Sequence, residues 1–165
     1  MDTNDSLAHS SGFDGRERQA KTPGEGAMNR KEALPLYSQT TREIWVTVEP
    51  IYLDDQSTPE ESHFVWAYHV RIENRGKETV QLRSRYWRIT DSLGRTQEVR
   101  GAGVVGEQPV LHPGESFEYT SGTPLATPSG IMVGTYRMVT SDGEGFDVAV
   151  PPFSLDSPHQ ERKIN

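Results

Sequence analysis

Residues 101–106, Gly-Ala-Gly-Val-Val-Gly, carry the spacing G-x-G-x-x-G. Glycines so spaced can cradle a phosphate, provided a strand leads into them and a helix N-terminus follows. Here the chain continues as VVGEQPVLHPGE, and Pro109 and Pro113 leave no room for a helix. A dinucleotide-binding βαβ unit is therefore excluded. Two readings of Gly101, Gly103 and Gly106 remain. One is a tight loop that needs positive φ or a close backbone approach. The other is a concave set of backbone N–H groups that holds an anion without a helix. Arg85, Arg88, Arg95 and Arg100 flank the loop in sequence, and guanidinium groups are the natural counter-charge for pyrophosphate or a nucleotide.

Other reactive side chains do not converge. His63 and His69 share strand parity but stand about 20 Å apart along a strand, too far to share a metal. His112 falls in a turn, and Asp54, Asp55, Glu60 and Glu61 fall in a polar loop. Ser121 precedes a glycine, but nothing in the sequence sets a base and an orienting acid beside it. The absence of cysteine excludes thiolate catalysis and Cys-ligated zinc. The reading assigns no catalytic residue, no metal and no cofactor, and expects a non-enzymatic protein.

Charge and hydropathy restrict the partners. The 165 residues carry a formal charge of -7, so a broad basic surface for nucleic acid is not expected. No apolar run approaches the roughly 20 residues of a membrane span. A cytoplasmic protein is expected, with no nucleic-acid or membrane partner. Mean hydropathy is -0.70, and the polarity concentrates at the ends. Residues 1–37 and 157–165 are rich in Ser, Gly and charge without a period, so both read as disordered extensions around a domain at 38–156.

Within that domain the period is two. Phe64, Trp66, Tyr68, Val70 and Ile72 alternate with Val65, Ala67, His69 and Arg71, as on a strand with one apolar face. Residues 42–53 form a second strand, whose Pro50 places it at an edge or a bulge. Residues 79–90 form a third, in which the apolar parity runs through Val80 and Leu82 and then switches to Trp87 and Ile89. That switch predicts a bulge near Ser84–Tyr86 and leaves either Tyr86 or Trp87 pointing outward. An outward aromatic flanked by Arg85 and Arg88 would suit protein recognition or stacking on a base, and the plainer reading is that it covers the bulge. Four further strands at 95–101, 115–122, 130–141 and 145–155 complete a seven-stranded, all-β, antiparallel sandwich of the immunoglobulin/fibronectin type III kind.

Three ordered pieces, SRYWRITD, GAGVVGEQPVLHPGESFEYTSG, and GTYRMV followed by FDVAVPPFSL, resemble the ApaG family. The resemblance covers residues 82–155 throughout and reaches more loosely to about residue 38. It implies a fibronectin type III-like sandwich in a small bacterial cytoplasmic protein, with family links to cobalt resistance and magnesium efflux. Related domains in larger eukaryotic proteins, including an F-box protein, imply a protein-interaction module. A pyrophosphate or nucleotide ligand is implied for the glycine loop, here Gly101, Gly103 and Gly106. The expectation is a binding module for an unidentified protein partner. The alternative is an anion site formed by those glycines with Arg85, Arg88 and Arg100.

Overall fold

A computed structural model describes residues 36–160. Of the extension expected at 1–37, residues 1–35 lie outside that range, as do the last residues, 161–165, while Tyr37 is already part of a strand. Among the described residues nine strands form two antiparallel sheets. The first sheet holds β1 (Tyr37–Thr41), β2 (Ile44–Tyr52), β3 (Phe64–Asn74) and β7 (Ser116–Leu125) in the order β1-β2-β3-β7. The second holds β5 (Thr96–Ala102), β4 (Val80–Asp91), β8 (Ser129–Thr140) and β9 (Gly145–Asp156) in the order β5-β4-β8-β9. The two-residue β6 (Val110–Leu111) also pairs with β4. The expected antiparallel sandwich is thus present, with β1 and β6 added to the seven strands read from the sequence. Neither strand has a period to detect: β1 is the polar YSQTT and β6 is two residues long.

Two local expectations change. β2 is not an edge strand, because β1 pairs with its first half, from Thr41↔Ile44 to Tyr37↔Val48. Pro50 lies just past the end of β1 and pairs only with Tyr68 of β3, so its missing N–H costs no ladder bond. At the C-terminal end, Ser157 and His159, expected in the tail, contact the sandwich. Ser157 Oγ donates to Pro128 O at 2.7 Å, and the His159 ring lies 5.9 Å from that of Tyr52.

The bulge in β4 falls at Arg83, where the register against β8 shifts between Leu82 and Ser84. Val80 and Leu82 before it, and Arg85, Trp87 and Ile89 after it, all face the interior. The core lies between the sheets and is dense in aromatics. Trp87 meets Tyr68 edge-on at 5.4 Å and Phe153 at 6.0 Å, with Trp66, Tyr119 and Tyr136 also buried. Such pairs add about 0.5–1.5 kcal/mol each beyond the area they bury. Trp87 fits because β8 offers Gly134 opposite it: a Cβ there would stand 2.5 Å from Trp87 Cε3 and 2.6 Å from Tyr86 O.

Candidate functional site

The glycine loop leaves β5 and closes on itself. Val104 N donates to Glu107 O at 2.8 Å and Glu107 N to Val104 O at 2.9 Å, enclosing Val105 and Gly106. Their φ angles, +41° and +79°, are both positive, as a two-residue hairpin turn of the primed type requires. Gly103 also has positive φ, and a Cβ there would stand 2.3 Å from Glu107 O, so only glycine fits. Val105 is the anomaly, because a β-branched residue in the left-handed region costs roughly 1–2 kcal/mol. Of the amides that could face an anion, Gly103 N is committed to Arg83 O and Val104 N to Glu107 O. Among the described residues, Val105 N and Gly106 N have no hydrogen-bond partner.

The fold divides the predicted arginines between two faces of one sheet. Arg85 points inward and is 6% exposed. Its Nη1 donates to Ala102 O at 3.2 Å and to Gly103 O at 2.9 Å, so its charge braces the loop from beneath. Gly101 leaves space for it, since a Cβ there would meet Nη1 at 2.9 Å. Close by, the Tyr119 and Tyr136 hydroxyls bond to each other. Burial pushes both phenols well above their usual range, while Arg85 acts in the opposite direction.

Arg88 and Arg100 lie on the outer face, where β4–β5 pairing sets Tyr86 against Arg100 and Arg88 against Glu98. The alternation left open for Tyr86 and Trp87 is thereby decided: Trp87 is core and Tyr86 faces out. Arg100 Cζ sits 4.5 Å from the centre of the Tyr86 ring, and Tyr86 Oη donates to Glu98 Oε2 at 2.9 Å. That bond holds the Tyr86 phenol above its ordinary pKa. Arg100 Nη2 approaches Glu98 Oε1 at 3.7 Å. Arg88 is exposed and has no ion pair among the described residues. Arg95 is committed to Asp91, Nε to Oδ2 at 2.8 Å. Burial pushes the Asp91 carboxyl up, but hydrogen bonds from Arg95 and Leu93 outweigh it and hold the group below the carboxylate range. The structure therefore joins Arg85 to Gly101 and Gly103, and separately joins Arg88 and Arg100 to Tyr86.

The remaining candidates are scattered. His69 bridges Thr120 Oγ1 (2.8 Å from Nδ1) and Glu118 Oε1 (2.9 Å from Nε2), while Arg71 bonds the other Glu118 oxygen at 2.7 Å. His112 bonds Glu115 in its turn at 3.0 Å. Ser121 lies on the inner side of β7, opposite Tyr68. Among the described residues no group of three or more His, Cys, Asp or Glu is placed to hold a metal ion. A surface cavity of about 410 Å³ opens between Arg42, Glu43, Gly76, Lys77, Glu78 and Phe146. Its Arg42 is already paired with Glu144 at 3.1 Å and Glu78 at 3.6 Å. Glu98 and the His69 network escaped sequence reasoning because both depend on cross-strand register, which alternation within one strand does not give.

A two-sheet antiparallel sandwich with a braced glycine hairpin, and an aromatic–arginine face beside it, is the class of protein defined here. A family model of the ApaG domain matches residues 54–140. Over 130 residues the chain is 68% identical to Protein ApaG of Paramagnetospirillum magneticum, covering 79% of this chain and all of that protein. It is 69% identical over 130 residues to Protein ApaG of Rhodospirillum centenum, with the same coverage. A crystal structure of an ApaA protein from Bordetella pertussis superposes with a TM-score of 0.69 at 48% identity, covering 77% of this chain and 98% of that one. The chain belongs to the ApaG family. Among the described residues no helix is long and apolar enough to cross a membrane.

Proposed function

We propose that this protein is a non-catalytic binding module that presents the outer face of its second sheet to a protein partner. One observation carries the reading: Tyr86, stacked under Arg100 and tied to Glu98, is set beside the exposed Arg88. Tyrosine and arginine are enriched among the few residues that dominate binding energy at protein interfaces, and a pre-ordered pair loses little side-chain entropy on docking. Exposed Ile131 (53%) extends the same face, because it pairs with Thr90 of β4, whose side chain shares the parity of Tyr86 and Arg88. Affinity capture with the full chain from extract of its own cells tests this. Partners retained by the native protein and lost by Tyr86→Ala with Arg88→Ala support it. A failure to recover any stoichiometric protein counts against it.

A second reading rests on Val105. Strain in a sparsely populated backbone region collects at functional sites, and this strained turn carries two amides, Val105 N and Gly106 N, that are unbonded among the described residues. In that reading the loop of Gly101, Gly103 and Gly106 holds a pyrophosphate or nucleotide phosphate, with Arg85 bracing it from within and Arg88 and Arg100 supplying longer-range field. Titration with pyrophosphate, with and without magnesium, followed by amide NMR, should then shift Val105 and Gly106 saturably. The absence of shifts at millimolar ligand removes it.

A further inference from the structure

We infer that β5 is a docking edge for an extended, acidic segment of the partner protein, which adds to the second sheet as one more strand. The inference rests on the protein-binding reading above and narrows it to one edge, one pairing mode and one charge.

The backbone supplies the first half of the argument. Asp91 N donates to Arg95 O, and Gly103 N donates to Arg83 O. Odd-numbered residues of β5 therefore turn their backbone groups toward β4. By the alternation of an antiparallel ladder, Thr96, Glu98 and Arg100 turn theirs the other way. Among the described residues no backbone hydrogen bond reaches those groups, and all three residues are exposed.

The other edges are blunted. β9 carries Pro151 and Pro152, and β7 carries Pro124 with Thr120 and Gly122 buried. β1 is tied to β9, where Ala149 N donates to Thr41 Oγ1 at 3.2 Å. Proline and covering contacts are among the protections of an edge strand, and among the described residues β5 has neither.

Charge supplies the second half. Among the described residues, the outward side chains of β4 and β5 include Arg83, Arg88 and Arg100 and one carboxylate, Glu98, with the exposed Glu107 following in the hairpin, in a chain whose formal charge is -7. Glu98 is already engaged by Tyr86 and Arg100, and Arg83 donates to the neutral Gln81 Oε1. The unbalanced charge beside this edge is positive. An incoming strand of about five residues has side chains alternating between the two faces. Acidic groups on the outer side meet the arginines, and apolar groups on the inner side extend the core beyond Val99, which is 6% exposed. Main-chain bonds give such a complex its affinity and the alternate side chains its specificity.

The test uses the full chain and an acetylated Glu-Val-Glu-Val-Glu-Val peptide. Controls are a Lys-Val peptide of equal length and a Glu-Val peptide N-methylated at every second residue. The expected result is saturable amide shifts and slowed hydrogen exchange at Thr96, Glu98 and Arg100. Affinity should fall about tenfold in Arg88→Glu with Arg100→Glu. Glu98→Pro removes an outward donor while sparing the β4–β5 ladder, and it should abolish the slowed exchange. Equal binding of the Lys-Val peptide overturns the charge assignment. Undiminished binding of the N-methylated peptide overturns strand addition, and that control holds even if the proline variant misfolds. Shifts elsewhere, or none at millimolar peptide, overturn the edge. A cellular partner retained by Glu98→Pro and by the charge reversals would sink this edge and leave the binding module standing, whereas no partner at all would sink the module itself.

Discussion

Arg85 and Arg88 are three residues apart on β4 and do opposite work. Arg85 is buried, with Nη1 shared between two loop carbonyls. Arg88 lies in solvent and pairs in register with Glu98 without bonding it. Strand parity alone separates them, since odd and even positions leave opposite faces of a sheet. The lesson is that a cluster of arginines in sequence need not be a cluster in space. One guanidinium holds the glycine hairpin in place, and the others are offered outward.

The inner face should govern stability and the outer face should hardly affect it. Trp87→Ala, which empties the centre of the aromatic core, should cost about 3–5 kcal/mol in chemical denaturation. Arg85→Ala should cost about 3 kcal/mol, because it strips partners from Ala102 O and Gly103 O and leaves a cavity. If Arg85→Ala proved neutral, the bracing role would be lost.

The paired tyrosines allow a finer test through pH. Burial raises both phenols in the folded state, so they stay protonated there while the unfolded chain ionises near pH 10. Their contribution is thus fully present below about pH 10 and is lost as pH rises toward the folded values. Stability should fall by up to about 1.4 kcal/mol per pH unit per tyrosine above that point. Tyr119→Phe with Tyr136→Phe should flatten this slope, and a wild-type curve already flat to pH 11 would contradict the burial argument.

Within the loop, Gly103→Ala and Gly106→Ala sharpen the contrast between contact and conformation. Gly106 has open space around its missing Cβ, so alanine there should cost only about 1 kcal/mol for its positive φ. At Gly103 the Cβ also meets Glu107 O, so the loss should exceed that at Gly106 and the backbone must shift. The smallest effect belongs outside: Arg88→Ala should change stability by no more than about 0.5 kcal/mol. A larger loss at Arg88 would mean that the outer face is structural rather than offered to a partner.

The sequence by itself determined the strands and their apolar sides. Alternation in Phe64–Ile72 and the parity switch between Leu82 and Trp87 are local consequences of a two-residue repeat, and they carry most of the sandwich. The prolines after the glycine run also excluded a nucleotide-binding helix without recourse to coordinates. The tertiary structure decided what those strands bring together. The bulge sits at Arg83, ahead of its expected place, so Arg85 joins the core side and Tyr86 faces out. Glu98 meets Tyr86 only because β5 pairs with β4 in one register. Register and bulge position are settled by packing across two sheets, where a slip of one residue exchanges every inward side chain for an outward one. No single stretch of chain contains that information.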